Sequence, residues 1–140
     1  MIISDFKDFP RTGRILGVDW GNKRIGLAIS TPDRNFVFPY SQLGTRNQEP
    51  GTKILEIIKN ERIVGVVIGL PTHADGSDSD TTRAVRKFAA GLNIDLPIMF
   101  MDERLTSAEA ESRKPKADLD SVAASIILED FIAMQKRNQI

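Results

Sequence analysis

Apolar residues follow two different rhythms along this chain, and the change from one to the other organises it. In the first third they come as two short runs, Ile15-Leu16-Gly17-Val18 and Ile25-Gly26-Leu27-Ala28-Ile29, either side of Gly21-Asn22-Lys23. Such runs around a glycine turn predict a buried strand, Arg14 to Trp20, and an antiparallel partner, about Arg24 to Thr31. Pro32-Asp33-Arg34-Asn35 reads as a turn of type I geometry. Phe36-Val37-Phe38 reads as a third, shorter strand.

Later the spacing turns helical. Ile54, Leu55, Ile57 and Ile58 predict an amphipathic helix over about Thr52 to Glu61. Ile63-Val64-Gly65-Val66-Val67-Ile68-Gly69 is apolar on both faces, as a central parallel strand requires. A loop from Leu70 to Ser79 precedes a helix from about Asp80, marked by Ala84, Val85, Phe88, Ala89 and Leu92. Pro97-Ile98-Met99-Phe100-Met101 is a short buried strand ending at Asp102-Glu103-Arg104. Thr106 or Ser107 caps a short helix through about Ser112, and Arg113-Lys114-Pro115-Lys116 is a basic break. The last helix runs from near Asp118 to about Lys136, with Val122, Ala123, Ile126, Ile127, Phe131 and Met134 on one broad face. The order predicts an α/β domain: three antiparallel strands, then helix–strand–helix–strand–helix, forming a mixed five-stranded sheet with helices on both faces. Residues 1–13 read as a variable, loosely packed N-terminal arm to this single domain.

Composition narrows the class. With 41% hydrophobic and 27% charged residues, the chain suits one globular core. No apolar run is long enough to span a membrane. Acidic residues interrupt the short apolar start, so the first residues do not read as a secretory signal. Without cysteine there is no disulfide and no thiolate metal site, which fits a reducing cytoplasm. Lys and Arg number 19 and Asp and Glu 19, so nucleic-acid binding would rest on local basic patches rather than on a global field.

The carboxylates carry the candidate chemistry. Asp19 interrupts an apolar strand, where an unpaired charge is costly and a divalent cation is a suitable partner. Asp102 and Glu103 end the last strand. Asp120 opens the last helix and shares a face with Ala123, Ala124 and Ile127, and the alanines let that helix approach the sheet. Converging acids of this kind suit Mg²⁺ or Mn²⁺, and such ions support phosphodiester hydrolysis. Each acid also has a plainer reading. Asp120 is a favourable charge in a first helical turn with Asp118 as N-cap. Asp102 or Glu103 pairs with Arg104 at a strand end. His73, the single histidine, reads as a solvated loop residue. Gly69-Leu70-Pro71 and Gly76 shape a turn, or cradle a phosphate.

Four stretches in order, Asp19-Trp20-Gly21-Asn22-Lys23-Arg24-Ile25-Gly26-Leu27-Ala28, Gly69-Leu70-Pro71 with Asp75-Gly76 and Arg86-Lys87-Phe88, Asp102-Glu103-Arg104-Leu105-Thr106-Ser107 with Glu109-Ala110, and Asp120-Ser121-Val122-Ala123-Ala124 with Ile127-Leu128-Glu129, resemble the YqgF/RuvX family of RNase H-like nucleases. The resemblance implies an RNase H-like fold and a cytoplasmic hydrolase that trims the 5′ end of pre-16S rRNA in ribosome biogenesis. Holliday junction resolution is the alternative. It implies Asp19, Glu103 and Asp120 as catalytic metal-binding acids, with Mg²⁺ or Mn²⁺. Strand alternation keeps Asp102 as the alternative to Glu103. Lys23, Arg24, Arg86 and Arg104 become candidates for phosphate contact. The segment between Ala110 and Asp120 is shorter than the family's usual basic helix–loop. Expected partners are pre-rRNA or branched DNA and ribosomal precursor particles, with no membrane and a monomeric or weakly dimeric chain. Two other classes stay open: a non-catalytic nucleic-acid module, and a nucleotide-binding relative of actin-like and sugar-kinase proteins.

Overall fold

The structure, a computed structural model, describes residues 1–21, 23–44, 49–71, 79–102 and 119–138. The two apolar runs form β1 (Arg14–Trp20) and β2 (Arg24–Ser30), paired antiparallel with Gly17 opposite Ala28 and Asp19 opposite Gly26. β3 (Val37–Gly44) pairs antiparallel with β2. Then follow α1 (Pro50–Asn60), β4 (Ile63–Leu70), α2 (Asp80–Gly91), β5 (Ile98–Asp102) and α3 (Leu119–Arg137). The sheet order is β3-β2-β1-β4-β5, with β4 parallel to β1 and β5 parallel to β4. The mixed five-stranded sheet with helices on both faces is therefore the arrangement that the apolar pattern predicts. No helix among the described residues is long and apolar enough to cross a membrane.

Alternation along the strands builds two cores. Leu16, Val18, Ile25, Leu27, Val66 and Ile68 pack with Ile54 of α1 and with Val85 and Ala89 of α2. Ile15, Ala28, Val67 and Met99 pack on the other face with Ala124, Ile127, Leu128 and Phe131 of α3. A capping box starts α2: the Ser79 hydroxyl accepts the Thr82 N–H, and the Thr82 hydroxyl accepts the Ser79 N–H. α3 is buried around more of its circumference than the single stripe expected, since Ser121, Ser125, Leu128 and Gln135 are buried as well.

Three expectations change. The N-terminal segment is not loosely packed: Phe9 is buried and its ring meets Phe131 edge-on at 4.9 Å, with Phe6 at 5.3 Å from the same ring. Ile2 forms a parallel bridge to Ile98, which lengthens the sheet. Apolar residues too widely spaced to show a period still bury well when a sheet edge and a helix are there to receive them.

The third strand is longer than Phe36–Phe38 and runs to Gly44. Its polar Ser41 and Gln42 disguise it, because an edge strand is only half covered. Tyr40 is a bulge between the Leu27–Ser41 and Ala28–Pro39 pairs, which is how Pro39 is tolerated in mid-strand.

The turn before β3 is displaced by one residue. The Arg34 N–H donates to the Thr31 carbonyl and Arg34 itself has φ +67°, so the reversal centres on Pro32 and Asp33. The reason lies in the Arg34 side chain, which is buried and binds oxygens from both chain ends. Its Nε–H donates to the Gly13 carbonyl and its NH2 to the Pro10 carbonyl, while NH1 donates to Gln135 Oε1 at 3.0 Å. Gln135 in turn donates to the Phe9 and Pro10 carbonyls. Burial lowers the Arg34 pKa to about 10. The loop around His73 and Gly76, the short helix after Thr106 and the basic break at 113–116 lie outside the described residues.

Two stability predictions follow from these contacts. A methyl at Gly26 would overlap the Asp120 backbone carbonyl, whereas one at Gly91 meets nothing within 4 Å. Gly26→Ala should therefore lose about 3 kcal/mol or fail to fold, while Gly91→Ala should be unchanged or slightly stabilised; urea unfolding midpoints compare the two. Arg34→Ala leaves buried carbonyls without donors and should lose about 2–3 kcal/mol, read from the same transition. An unchanged midpoint would mean that the Arg34 network contributes nothing to stability.

Candidate active site

Asp19 lies near the C-terminal end of β1 and is partly exposed there, rather than enclosed as its apolar neighbours suggest. Its side chain shares a sheet face with Ile15 and Gly17, the face that α3 covers. Directly across the antiparallel pair is Gly26, about 5 Å away between Cα atoms. Gly26 carries the first turn of α3: the Asp120 carbonyl and the Ser121 nitrogen occupy the space a side chain would take. Two residues along, Gly17 meets the Ala124 carbonyl, 3.0 Å from where its Cβ would be. The small residues expected on the helix are thus matched by glycines in the strands. Helix backbone rests on sheet backbone, and the Asp120 backbone lies on the residue opposite Asp19.

Asp120 is held by Arg24, the first residue of β2, whose Nε–H donates to Asp120 Oδ2 at 2.8 Å. Arg24 remains 60% exposed, so the pair sits at the solvent edge, where such bridges orient more than they stabilise. The Arg24 link to Asp120 is not legible from the sequence, where the two residues are 96 positions apart. The glycines are better signalled, since Gly17 and Gly26 interrupt strands that otherwise favour branched residues.

The structure sorts the remaining candidates. Lys23 is exposed in the β1–β2 connection, beside Arg24 and at the same end of the sheet as Asp19. Asp102 is exposed and pairs with Leu70 in parallel register, on the strand face that Phe100 shares with α2. By strand alternation it falls on the face opposite Asp19. Arg86 lies on that opposite face too, its guanidinium 5.6 Å from the centre of the Phe100 ring. Glu103 and Arg104 lie outside the described residues.

Two carboxylates that share one face and one solvent edge form a hard, oxygen-only donor set. That chemistry fits Mg²⁺ or Mn²⁺ and does not fit a soft metal. No group of three potential metal ligands occurs among the described residues.

Comparison with known proteins agrees with this architecture. A family model described as "RuvX: Holliday junction resolvase" matches residues 13–134. A protein of Maridesulfovibrio salexigens named "Putative pre-16S rRNA nuclease" is 48% identical over 132 residues, 86% of this chain and 98% of its own. A protein of Rhodopirellula baltica with the same name is 38% identical over 136 residues, covering 89% of this chain and 79% of its own. Among solved structures, Thermus thermophilus RuvC in complex with a Holliday junction substrate superposes with a TM-score of 0.56 at 14% identity, over 87% of this chain and 96% of that one. The Fowlpox virus resolvase in complex with Holliday junction DNA gives 0.53 at 12% identity, over 91% and 99%. At such identities the structures speak for the fold, which is RNase H-like, while the sequence matches carry the lineage: the chain belongs to the RuvX family.

Proposed function

We propose that this chain is a metal-dependent nuclease that hydrolyses phosphodiester bonds, working in the cytoplasm on the 5′ end of precursor 16S rRNA. The observation that carries the reading is the seating of the Asp120 backbone on Gly26, the residue paired with Asp19. The names borne by the Maridesulfovibrio and Rhodopirellula relatives supply the substrate.

In this reading Asp19 and Asp120 present oxygens to Mg²⁺ or Mn²⁺, with Glu103 as the third acid because Asp102 faces away. When bound, the metal supplies an activated water and charge stabilisation at the leaving oxygen. The residues of the chain do the rest. Arg24 fixes one oxygen of Asp120 through Nε and offsets the repulsion between acids brought together. Lys23 and Arg24, at the exposed end of β1 and β2, attract the phosphate backbone. Arg104 joins them, and Arg86 meets substrate that has crossed to the α2 side.

A second reading, resolution of four-way junctions, is favoured by the description of the family model. Paired incisions need two sites related by a two-fold axis. β3, an edge strand of the sheet, exposes Phe38 and Tyr40, but Pro39 and the bulge at Tyr40 blunt it against strand pairing. The chain is accordingly read as a monomer or weak dimer.

Asp19→Asn and Asp120→Asn should remain folded and lose about 10³-fold in Mg²⁺- or Mn²⁺-dependent cleavage, since several kcal/mol of transition-state stabilisation depend on the metal. Asp102→Asn should retain most activity, and chelation should abolish cleavage by the unmodified chain. Initial rates at saturating metal decide; equal losses in all three variants would refute the assignment by strand face.

Sedimentation at micromolar concentration, beside cleavage of precursor rRNA and of a four-way junction, tests the substrate. The expected result is a monomer or weak dimer that cuts RNA. A tight dimer making coordinated paired nicks in junctions and none in RNA would establish the resolvase. Binding without cleavage of either would leave a nucleic-acid module.

A further inference from the structure

The strand that bears Asp19 turns its next residue, Trp20, to the opposite face of the sheet. There Trp20 forms one wall of a cleft of about 450 Å³ between α1 and α2, with Pro50, Gly51, Ala84, Phe88, Gly91 and Leu92. Among the described residues the cleft is apolar except at one position, Lys87. Trp20 is half-buried and tilted against Phe88, ring centres 6.4 Å apart. Its glycines have no packing duty toward it. A Cβ on Gly91 would meet nothing within 4 Å, one on Gly51 only Leu92 at 3.9 Å, and neither glycine has positive φ.

We infer that this cleft receives an unpaired base of a single-stranded nucleic acid whose backbone passes the Asp19–Asp120 site. The proposal rests on the nuclease reading and adds a base-binding site to it. Three observations favour a base over another occupant. The size and lining suit a flat, largely apolar group fixed by few polar contacts. An indole with a phenyl ring behind it is a stacking surface that accepts any base. Among the described residues the one charge lining the cleft is positive, so a phosphate attached to the base meets Lys87 there. Location adds the functional link: consecutive residues of β1 place the acid and the indole on opposite faces of the same strand end, one Cα step apart. A strand cut at Asp19 thus needs only to cross the end of the sheet to deliver a neighbouring base. Such a site selects unpaired nucleotides, because a base stacked in a duplex cannot enter.

Trp20 is the only tryptophan of the chain and reports on the cleft directly. Its fluorescence is followed while single-stranded RNA of about 12 nucleotides, a span typical of such grooves, is added in metal-free buffer so that nothing is cut. A DNA strand of the same sequence and a blunt RNA duplex are compared, and cleavage with Mg²⁺ is measured separately. Both single strands should quench Trp20 and the duplex should not. Gly91→Leu, which fills the cleft, and Lys87→Glu, a change at an exposed side chain that guards against a folding defect in the first variant, should each weaken binding about tenfold.

Cleavage by the unmodified chain with no change in Trp20, or with both variants binding as it does, overturns the base site and leaves the nuclease reading intact. Quenching that obeys both variants without cleavage of any substrate overturns the nuclease reading and keeps the base site. A Trp20 signal that depends on protein concentration without any nucleic acid assigns the cleft to a second copy of the chain and overturns the proposal.

Discussion

The backbone contact between the first turns of α3 and strands β1 and β2 sets both the packing and the chemistry of this protein. An α-helix normally stands off a sheet by the thickness of its side chains. Here Gly17 and Gly26 remove that thickness on one side and Ala124 on the other, so main-chain atoms of Asp120 and Ala124 lie on the strands. A site built on two rigid elements is held more closely than one built on loops. The closeness also explains why Asp120 is oriented by Arg24, a residue of the strand beneath it. Glycine weakens a strand, and two glycines in β1 and β2 make sense as the condition for this approach.

The other end of α3 is secured by different means. Gln135, one turn beyond Phe131, joins Arg34 and the carbonyls of Phe9 and Pro10 in one buried polar network. Such a network fixes orientation when every donor finds an oxygen. Phe6 and Phe9, tilted and edge-on against Phe131, add apolar contact at the same end. The helix is therefore anchored by close backbone approach where the acid sits and by hydrogen bonds and rings where the N-terminal segment crosses it. Those two anchors keep Asp120 from drifting along or around the helix axis.

What the sequence revealed and what it hid have physical reasons. β1, β2, β4 and the helices were legible because burial on one or both faces writes a period into the chain. β3 was hidden beyond Phe38 because Ser41 and Gln42 lie on a sparsely covered edge, where no period is enforced. The N-terminal segment was hidden because its buried residues, Phe9 above all, satisfy a helix and a sheet edge far away in sequence. Arg34 was invisible for the same reason: a turn residue in local context, it becomes a buried donor only when both chain ends reach it. Asp19 and Asp120 stood out by position and by resemblance, whereas the strand face of Asp102 needed the register of β5 against β4, which puts it on the α2 face.

That division of faces is the last consequence of strand alternation. The run Asp19-Trp20 ends β1 by giving one face a carboxylate and the other an aromatic ring. The acid meets α3, whose backbone contact holds a second acid beside it. The ring meets Phe88 of α2, whose exposed side carries Arg86 and Lys87. Cations occupy both flanks of the sheet end, Lys23 and Arg24 at the β1–β2 connection and Arg86 and Lys87 on α2. In a chain with no net charge, attraction for a polyanion rests on such local groups of cations rather than on the sum over the surface.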